Sequence, residues 1–291
     1  MSKTVANSVA KPARIPRRKF ILGLICTGVA AWIPSQAIAA IADINEAINK
    51  AGRLRMLSQR IAKAYCQLGQ GVLPERSAKI LAQSVQLFRE HLQELKAFAP
   101  AEDIKESYVE LDRLWQQYQK LIAGKPSFDS ARYIATLNED VLRVAHLATT
   151  QLELHAPGNL GRLINIAGRQ RMLSQRMAKF YLFHQWGIRS PEMEREAQLA
   201  RREFSSALDA LEKAPENDRI IKNELELARM QWLFFDQALK QQDTGGKYAM
   251  GYAENVATTS ERLLEVMDRI TGYYARIAQP QAAVQPGGRK R

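Results

Sequence analysis

Two arginines, Arg55 and Arg171, occupy the same place in a basic segment that the chain contains twice. Residues 48–65 contain AGRLRMLSQRIAK, residues 164–181 contain AGRQRMLSQRMAK, and the two ranges are identical at 14 of 18 positions. Packing alone tolerates many apolar sequences, so identity in arginine, serine and glutamine indicates a chemical requirement. Guanidinium groups bind planar oxyanions through paired hydrogen bonds. The repeat therefore makes these two arginines candidates for anion binding.

On a helix, at 100° per residue, each copy of the segment has an apolar stripe that should face its own core. A second stripe combines small residues, which permit close approach of two helices, with one arginine in the middle. Its members are Ile48, Ala51, Arg55, Ser58, Gln59 and Ala62 in the first copy, and Ile164, Ala167, Arg171, Ser174, Gln175 and Ala178 in the second. If the two stripes pack together, the arginines share one narrow seam.

Two arginines in such a seam need compensating negative charge. A guanidinium keeps its proton at any ordinary pH, and unpaired buried charges are strongly unfavourable. No acid lies three or four positions from Arg55 or Arg171. Either a carboxylate from elsewhere in the protein pairs with them, or the seam binds a small anion. In the second case, neutral donors could come from Ser58, Gln59, Ser174 and Gln175.

The other basic residues of the repeat are expected to have structural roles rather than to bind a ligand. They should form a solvated face or salt bridges at the edges of the helices, as is usual for basic residues on amphipathic helices. They are Arg53, Arg60 and Lys63, and their copies Arg169, Arg176 and Lys179.

Catalysis has little support in the sequence, and we predict neither an enzyme nor a metal or cofactor site. The four histidines lie on different predicted helices without metal-ligand spacing, and we expect them at the surface or at helix ends: His91, His146, His155 and His184. Met56 and Met172 are expected to pack rather than ligate haem. Trp115, Trp186 and Trp232 show no repeated pattern.

The first 39 residues are typical of a twin-arginine export signal. PRRKFILGLI begins at residue 16, an apolar run follows, and Ala37-Ile38-Ala39 offers a cleavage site. The alternative is an uncleaved anchor, for which the apolar run is short. We predict a periplasmic protein in which cleavage removes Cys26 and leaves Cys66 as the one cysteine, and hence no disulfide within the mature chain.

Net charge is +12, but six of the 42 basic residues lie in residues 1–39, where there is no acid. The remaining chain is only mildly basic, and together with export this argues against nucleic-acid binding.

Helical periodicity and breaker residues predict four helices in each copy. The predicted helices are 42–69, 75–98, 102–122 and 128–155, then 160–186, 191–213, 217–241 and 247–278. The repeat offset of 116 extends beyond the segment, pairing Phe88 with Phe204, Ile104 with Ile220, and Leu111 with Leu227. We predict an all-α fold of two tandem up-down four-helix bundles, 41–156 and 159–279. A disordered basic tail, 280–291, would follow.

An up-down four-helix bundle ends at the end where it began. The short connection at 156–159 therefore starts the second bundle near the start of the first, so that the two repeated helices run parallel and side by side. One chain would then imitate a two-fold dimer. Pairing between two chains of a homodimer remains the alternative.

The motif I-N-x-A-G-R-x-R-M-L-S-Q-R-x-A-K resembles the P-box of the periplasmic sensor domains of the nitrate- and nitrite-responsive kinases NarX and NarQ. It is closer to the amino-terminal domain of the type IV pilus chemotaxis transducers, the PilJ family. In these sensors two four-helix bundles bring their first helices together, and an arginine from each binds one nitrate. The resemblance implies that Arg55 and Arg171 bind the anion, with Gly52 and Gly168 as the motif glycines and Met56 and Met172 as its methionines.

Two functions follow from these patterns. The first is an exported module that binds a small inorganic oxyanion, nitrate or nitrite first, between its two first helices. It would report to a membrane sensor kinase, a chemotaxis transducer or a transporter. The second is a structural or protein-interaction module of an envelope or pilus-associated signalling system, in which the motif only pairs the two copies.

Overall fold

Helices account for most of the chain in a computed structural model that describes residues 41–241 and 245–277. Among these residues there are eight helices and no strand, so the all-α class is confirmed, and each helix ends within two residues of its predicted ends. The bounds are α1 Ile44–Gln70, α2 Pro74–Phe98, α3 Glu102–Ile122, α4 Phe128–Leu154, α5 Leu160–Gln185, α6 Pro191–Glu212, α7 Arg219–Lys240 and α8 Ala249–Ile277. The predicted export signal and basic tail lie outside the described residues.

Local signals in the sequence set the ends of the first helix. The Asp43 carboxylate accepts from the backbone N–H groups of Asn45 and Glu46, which satisfies donors that the first turn leaves free. At the other end Gly71 adopts a left-handed conformation with φ of 73°, which glycine tolerates without strain. The chain therefore reverses within three residues and begins α2 at Pro74.

The helices pack as two four-helix bundles joined through their first helices. In the first bundle α1 contacts α2 and α4, and α3 contacts α4; in the second α5 contacts α6 and α8, and α7 contacts α8. The contact between α1 and α5 is the most extensive in this part of the chain. The predicted tandem of up-down bundles in one chain, arranged as a pseudo-dimer, is confirmed.

The two first helices run parallel and in register along their whole length. Near their starts, a Cβ on Gly161 would lie 3.3 Å from the Ile48 side chain. Near their ends, the Gln70 amide of α1 donates to the Leu182 carbonyl of α5 at 3.1 Å. This arrangement places the repeated stripes face to face.

Two of the tryptophans do repeat, which corrects the prediction from the sequence. Trp115 stacks on Phe88 with ring centroids 4.0 Å apart, and Trp232 stacks on Phe204 with centroids 4.5 Å apart. Each pair fills the core of its own bundle. The two tryptophans are 117 positions apart rather than 116, so an alignment without gaps does not match them.

The same one-residue shift corrects the pairing of the third helices. Leu111 is fully buried, but Leu227 is half-buried, and Ala228 takes the buried position. Ile104 likewise corresponds to Ile221, which is buried, rather than to the exposed Ile220. The connection before α7 is longer than the connection before α3. The register of α7 is therefore the one in which its apolar stripe, including Ile221 and Ala228, faces the core of the second bundle.

None of the helices in the described part of the chain is both long enough and apolar enough to cross a lipid bilayer.

Candidate functional site

The two arginines of the repeat meet where the two glycines of the repeat face each other. A Cβ added at Gly52 would lie 3.2 Å from Nη2 of Arg171 and 3.4 Å from Nη2 of Arg55. At Gly168 the corresponding distances are 3.1 Å and 3.7 Å. Both guanidinium groups are fully buried. The glycines therefore leave the space in which two cationic groups converge in the seam between α1 and α5.

Each arginine reaches across the seam to the helix of the other copy. Nη2 of Arg55 donates to Oδ1 of Asn165 at 2.6 Å and lies 3.4 Å from its carbonyl oxygen, and Nη2 of Arg171 donates to the Asn49 carbonyl at 3.2 Å. Asn49 and Asn165 are themselves equivalent positions of the repeat. The contacts obey a pseudo-two-fold symmetry, and each copy supplies half of the seam.

Both arginines also keep an unused donor. The Nε atoms of Arg55 and Arg171 are buried and make no hydrogen bond to any described residue. Burial, with the nearby charges of Arg169 and Arg171, lowers the pKa of Arg55 to about 9. Burial also lowers the pKa of Arg171, to about 10. Both groups therefore remain cationic at neutral pH, and each has an N–H group that could donate to an oxyanion.

The negative charge in the seam is distributed unequally. Asp268 on α8 accepts from Nη1 of Arg171 at 2.5 Å and from Arg53 at 2.9 Å. Burial raises the pKa of Asp268, but the two arginines outweigh burial and hold this pKa below its usual value. Arg55 has no ion pair with a carboxylate among the described residues. Its Nη1 lies 3.1 Å from Nδ1 of His146 on α4.

Asn165 links Arg55 to the nearest acid only indirectly, because the Asn165 amide donates to Glu153. In the described part of the chain, the alternative raised by the sequence, compensation by a carboxylate of the protein, therefore applies to Arg171 and not to Arg55.

The serines and glutamines of the motif use their donors within the protein. The Ser58 hydroxyl donates to the Arg55 carbonyl at 2.7 Å, and the Ser174 hydroxyl donates to the Arg171 carbonyl at 2.8 Å. The amide of Gln175 donates to the Ser260 carbonyl at 3.0 Å. The Gln59 amide lies 3.1 Å from the Ser58 hydroxyl. The sequence interpretation assigned these groups as neutral donors to a bound anion; in the structure the hydrogen bonds they donate go to other protein groups.

The basic residues that follow Arg55 and Arg171 in the motif form ion pairs between the first helix of one bundle and the last helix of the other. We call each of these sets of ion pairs a clamp. Lys63 on α1 is fully buried, and its Nζ donates to Glu261 of α8 at 2.5 Å and to the Ser260 hydroxyl at 3.1 Å. Arg60 pairs with the same carboxylate. Burial raises the pKa of Glu261, but Lys63 and Arg60 outweigh burial and lower it to about 2.

The second copy repeats the clamp with the bundles exchanged. Lys179 on α5 donates to Glu139 of α4 at 2.6 Å and to the Asn138 amide oxygen at 2.8 Å, and Arg176 lies 2.7 Å from Glu139. Lys179 is fully buried as well. The expected salt bridges are therefore present, but a solvated face is wrong for the two lysines, since pairing of the bundles buries them.

A cavity of about 160 Å³ lies between α4 and α5, on the outer side of His146. Each of the three arginines in its walls is paired with a carboxylate: Arg143 with Asp140, Arg169 with Glu203, and Arg176 with Glu139 and Glu196. The lining residues are Glu139, Leu142, Arg143, His146, Arg169, Met172 and Arg176.

The histidines divide between expected and unexpected places. His155 is exposed after the last residue of α4, and His184 is in the last turn of α5, as expected. His91 is buried, and burial with the nearby Arg53 and Lys50 lowers its pKa to about 3. His146 is half-buried in the middle of α4. Sequence interpretation was wrong for His91 and His146, because a lone histidine carries no periodicity that reveals its neighbours.

Packing explains the methionines and the cysteine of the first helices. Met56, Met172 and Cys66 are all buried within the apolar core. Burial raises the pKa of the Cys66 thiol far above its usual value, so it stays protonated. No group of three or more potential ligands suited to a metal ion occurs in the part of the chain described by the structure.

Several site residues escaped the sequence interpretation: Asp268, Glu261, Glu139, Asn49 and Asn165. The two asparagines carried a signal, since they belong to the repeated segment. The acids lie on the last helix of each bundle, where the repeat offset becomes 122 rather than 116. Only an alignment with a six-residue gap would have matched Glu139 with Glu261.

Comparison with known proteins agrees with the duplicated architecture. The family model described as the type IV pili methyl-accepting chemotaxis transducer N-terminal domain, PilJ, matches residues 42–139 and again residues 158–251. No curated protein and no solved structure matches the chain. Each match contains one copy of the repeated segment, and together the two matches cover more than half of the chain. The chain thus belongs to the PilJ family of chemotaxis-transducer sensor domains, and carries that domain twice.

Proposed function

We propose that this protein is an exported sensor module that binds one small inorganic oxyanion, nitrate or nitrite first, between α1 and α5. The observation that carries the proposal is the pair of fully buried guanidinium groups of Arg55 and Arg171, each with an unpaired Nε donor. Export to the periplasm is part of the proposal and is supported by the signal-like residues 1–39.

The charges of the seam favour an anionic ligand. Arg55 and Arg171 converge on the two motif glycines. Within residues 41–241 and 245–277 only one carboxylate, Asp268, pairs directly with either of them, and Asp268 also pairs with Arg53. Leaving a buried charge without a partner costs about 3–5 kcal/mol. An oxyanion that accepts from the free Nε and Nη groups would remove that cost through charge-assisted hydrogen bonds.

Ligand size limits the affinity. Nitrate has four heavy atoms, and a ceiling of about 1.5 kcal/mol for each gives about −6 kcal/mol. This free energy corresponds to a Kd of roughly tens of micromolar. The module would therefore respond to micromolar or higher concentrations of the ion.

Signalling requires a partner. The PilJ family description names a chemotaxis transducer, which supports a sensory role. We propose that the anion changes the packing of α1 against α5, and that a membrane sensor kinase, a chemotaxis transducer or a transporter reads this change.

Calorimetry with nitrate tests the proposal. Wild type should bind one nitrate per chain, and Arg55→Gln and Arg171→Gln should each lose binding, because each copy supplies half of the site. Arg89→Ala, which changes an exposed arginine on α2, is the matched control. Circular dichroism of each variant establishes that it is folded. Unchanged nitrate binding in both glutamine variants refutes the assignment.

The second candidate function, a protein-interaction module without a small ligand, is favoured by a different observation. The clamps of Lys63 on Glu261 and of Lys179 on Glu139 show that much of the repeated motif pairs the two bundles. A thermal-shift series with nitrate, nitrite, sulfate, phosphate and chloride separates the two functions. A selective rise in Tm with one oxyanion supports the sensor, and no selective rise supports the interaction module.

A further inference from the structure

The last helices of the two bundles are equivalent at an offset of 122 residues. Glu139 and Glu261 both bind the lysine of the opposite copy, and Thr149 and Thr271 are both buried with the hydroxyl donating four residues back. The same offset places His146 in the first bundle where Asp268 stands in the second. The two-fold symmetry of the seam is therefore broken at one position, and the break replaces a carboxylate by an imidazole.

This substitution changes the charge around each arginine. Arg171 is paired with Asp268, which acts as an anion built into the protein. Arg55 faces His146, which supplies a hydrogen-bond acceptor but no negative charge. Arg169, the counterpart of Arg53, pairs with Glu203 of α6 instead. The second half of the seam is thus neutralised from within, and the first half is not.

We propose that the seam is a one-sided site, in which the anion binds between Arg55 and His146, replaces the hydrogen bond between them, and its binding adds one proton from solvent to Nδ1 of His146. The proposal rests on the proposed function, since it assigns the side and the pH dependence of the same anion site. Arg171 keeps its free Nε as a donor to the same anion, while Asp268 neutralises its charge, so both arginines remain part of the site.

Access to this side is available through the cavity between α4 and α5. His146 lines the cavity of about 160 Å³ and also contacts Arg55 behind it. His146 therefore lies between the approach route and the buried guanidinium group.

The charges that surround His146 determine whether its imidazole is protonated. Arg55 on α1 and Arg169 and Arg176 on α5 oppose an imidazolium, as does Arg143 one turn away on α4. Glu203 on α6 favours it, and Glu139 on α4, which also lines the cavity, is paired with Arg176 and Lys179. Burial, together with Arg55 and Arg169, lowers the pKa of His146 to about 4, so the ring is neutral at pH 7.

A bound anion adds negative charge beside the ring and raises this pKa. Proton uptake then accompanies binding, and affinity increases as the pH falls toward the pKa of the free protein.

Nitrate titrations by calorimetry between pH 5 and pH 8 test the inference, because nitrate does not titrate in this range. Wild type should bind more tightly as the pH falls, by up to about tenfold per pH unit. His146→Gln keeps an acceptor for Arg55 but cannot titrate, so its affinity should be independent of pH. His146→Asp should give Arg55 a carboxylate partner, as Asp268 gives Arg171, and so weaken nitrate binding by at least about tenfold. His155→Asp, at the exposed position that directly follows α4, is the control for the same change of residue type.

The outcomes separate the two proposals. Binding that depends on Arg55, but is unaffected by His146→Asp and equally pH-dependent in His146→Gln, overturns the one-sided site and leaves the anion function intact. Absence of nitrate binding in wild type overturns both. A rise in Tm of His146→Asp without nitrate, with loss of the nitrate-induced rise, is a further expected result, since the new carboxylate would neutralise Arg55.

Discussion

Lys63 of α1 and Glu261 of α8 form a fully buried ion pair, 2.5 Å long, that joins the first helix of one bundle to the last helix of the other. Its counterpart is Lys179 with Glu139. A lysine needs a strong partner to remain charged when buried. The pairs therefore hold the two bundles in the register that brings Arg55 and Arg171 together.

Removal of one partner should destabilise the protein. Glu261→Gln leaves Lys63 and Arg60 without their carboxylate, and breaking a buried pair in this way costs about 3 kcal/mol or more. Urea denaturation measures the loss. Glu265→Gln, at an exposed position one turn further along α8, should be nearly neutral. Equal stability of the two variants would show that the clamp does not hold the bundles together.

Acid should weaken the same clamp in a defined range. The pKa of Glu261 is lowered from 4.5 to about 2 in the folded protein. A carboxylate with a lowered pKa stabilises the fold above its unfolded pKa and loses this contribution as the pH falls through the folded pKa. The difference in Tm between wild type and Glu261→Gln should therefore shrink from pH 4.5 to pH 2. A difference that is constant over this range contradicts the assignment.

A methyl group in the seam should disturb binding more than folding. In Gly168→Ala the new Cβ would lie 3.1 Å from Nη2 of Arg171, which a buried arginine can relieve only by moving. We expect nitrate affinity to fall about tenfold, or about 1.4 kcal/mol, while the helix gains propensity. Gly251→Ala is the control, because a Cβ there meets nothing within 4 Å. It should raise stability by about 0.5–1 kcal/mol without changing binding.

The far end of the seam depends on a glycine for a different reason. Gly69 of α1 lies against the indole of Trp186, at the end of α5, and a Cβ there would overlap the ring. Gly69→Ala should displace the ring and cost about 2 kcal/mol through overpacking. Gly124→Ala, with no neighbour within 4 Å, is the matched control. Tryptophan fluorescence and thermal denaturation measure both effects, and an unchanged Tm in Gly69→Ala would argue against close packing here.

Periodicity and the repeat were enough to predict the helices and their pairing. Apolar residues recur at helical spacing, and glycine or proline separates the segments, so eight helices follow from local rules. The short connection at 156–159 requires the second bundle to start near the first. The parallel contact of α1 and α5 follows from that constraint together with the small residues of the second stripe.

The partners of the arginines and lysines could not be predicted in this way. Glu261, Asp268 and His146 belong to the last helices, 91 or more positions from the motif side chains that they contact in space. No periodic signal connects such positions, and the changing offset of the repeat, from 116 to 122, hides their equivalence. A separate one-residue shift, from 116 to 117, hid the correspondence of Trp115 with Trp232.

The sequence by itself determined the all-helical fold, the duplication and the positions of two arginines on matching helical faces, because these depend on spacing along one helix. Tertiary structure alone decided which charge each arginine meets. Packing of α4 and α8 against the seam gives Arg171 an aspartate and Arg55 a histidine. That difference arises because side chains distant in sequence become neighbours only when the two bundles close.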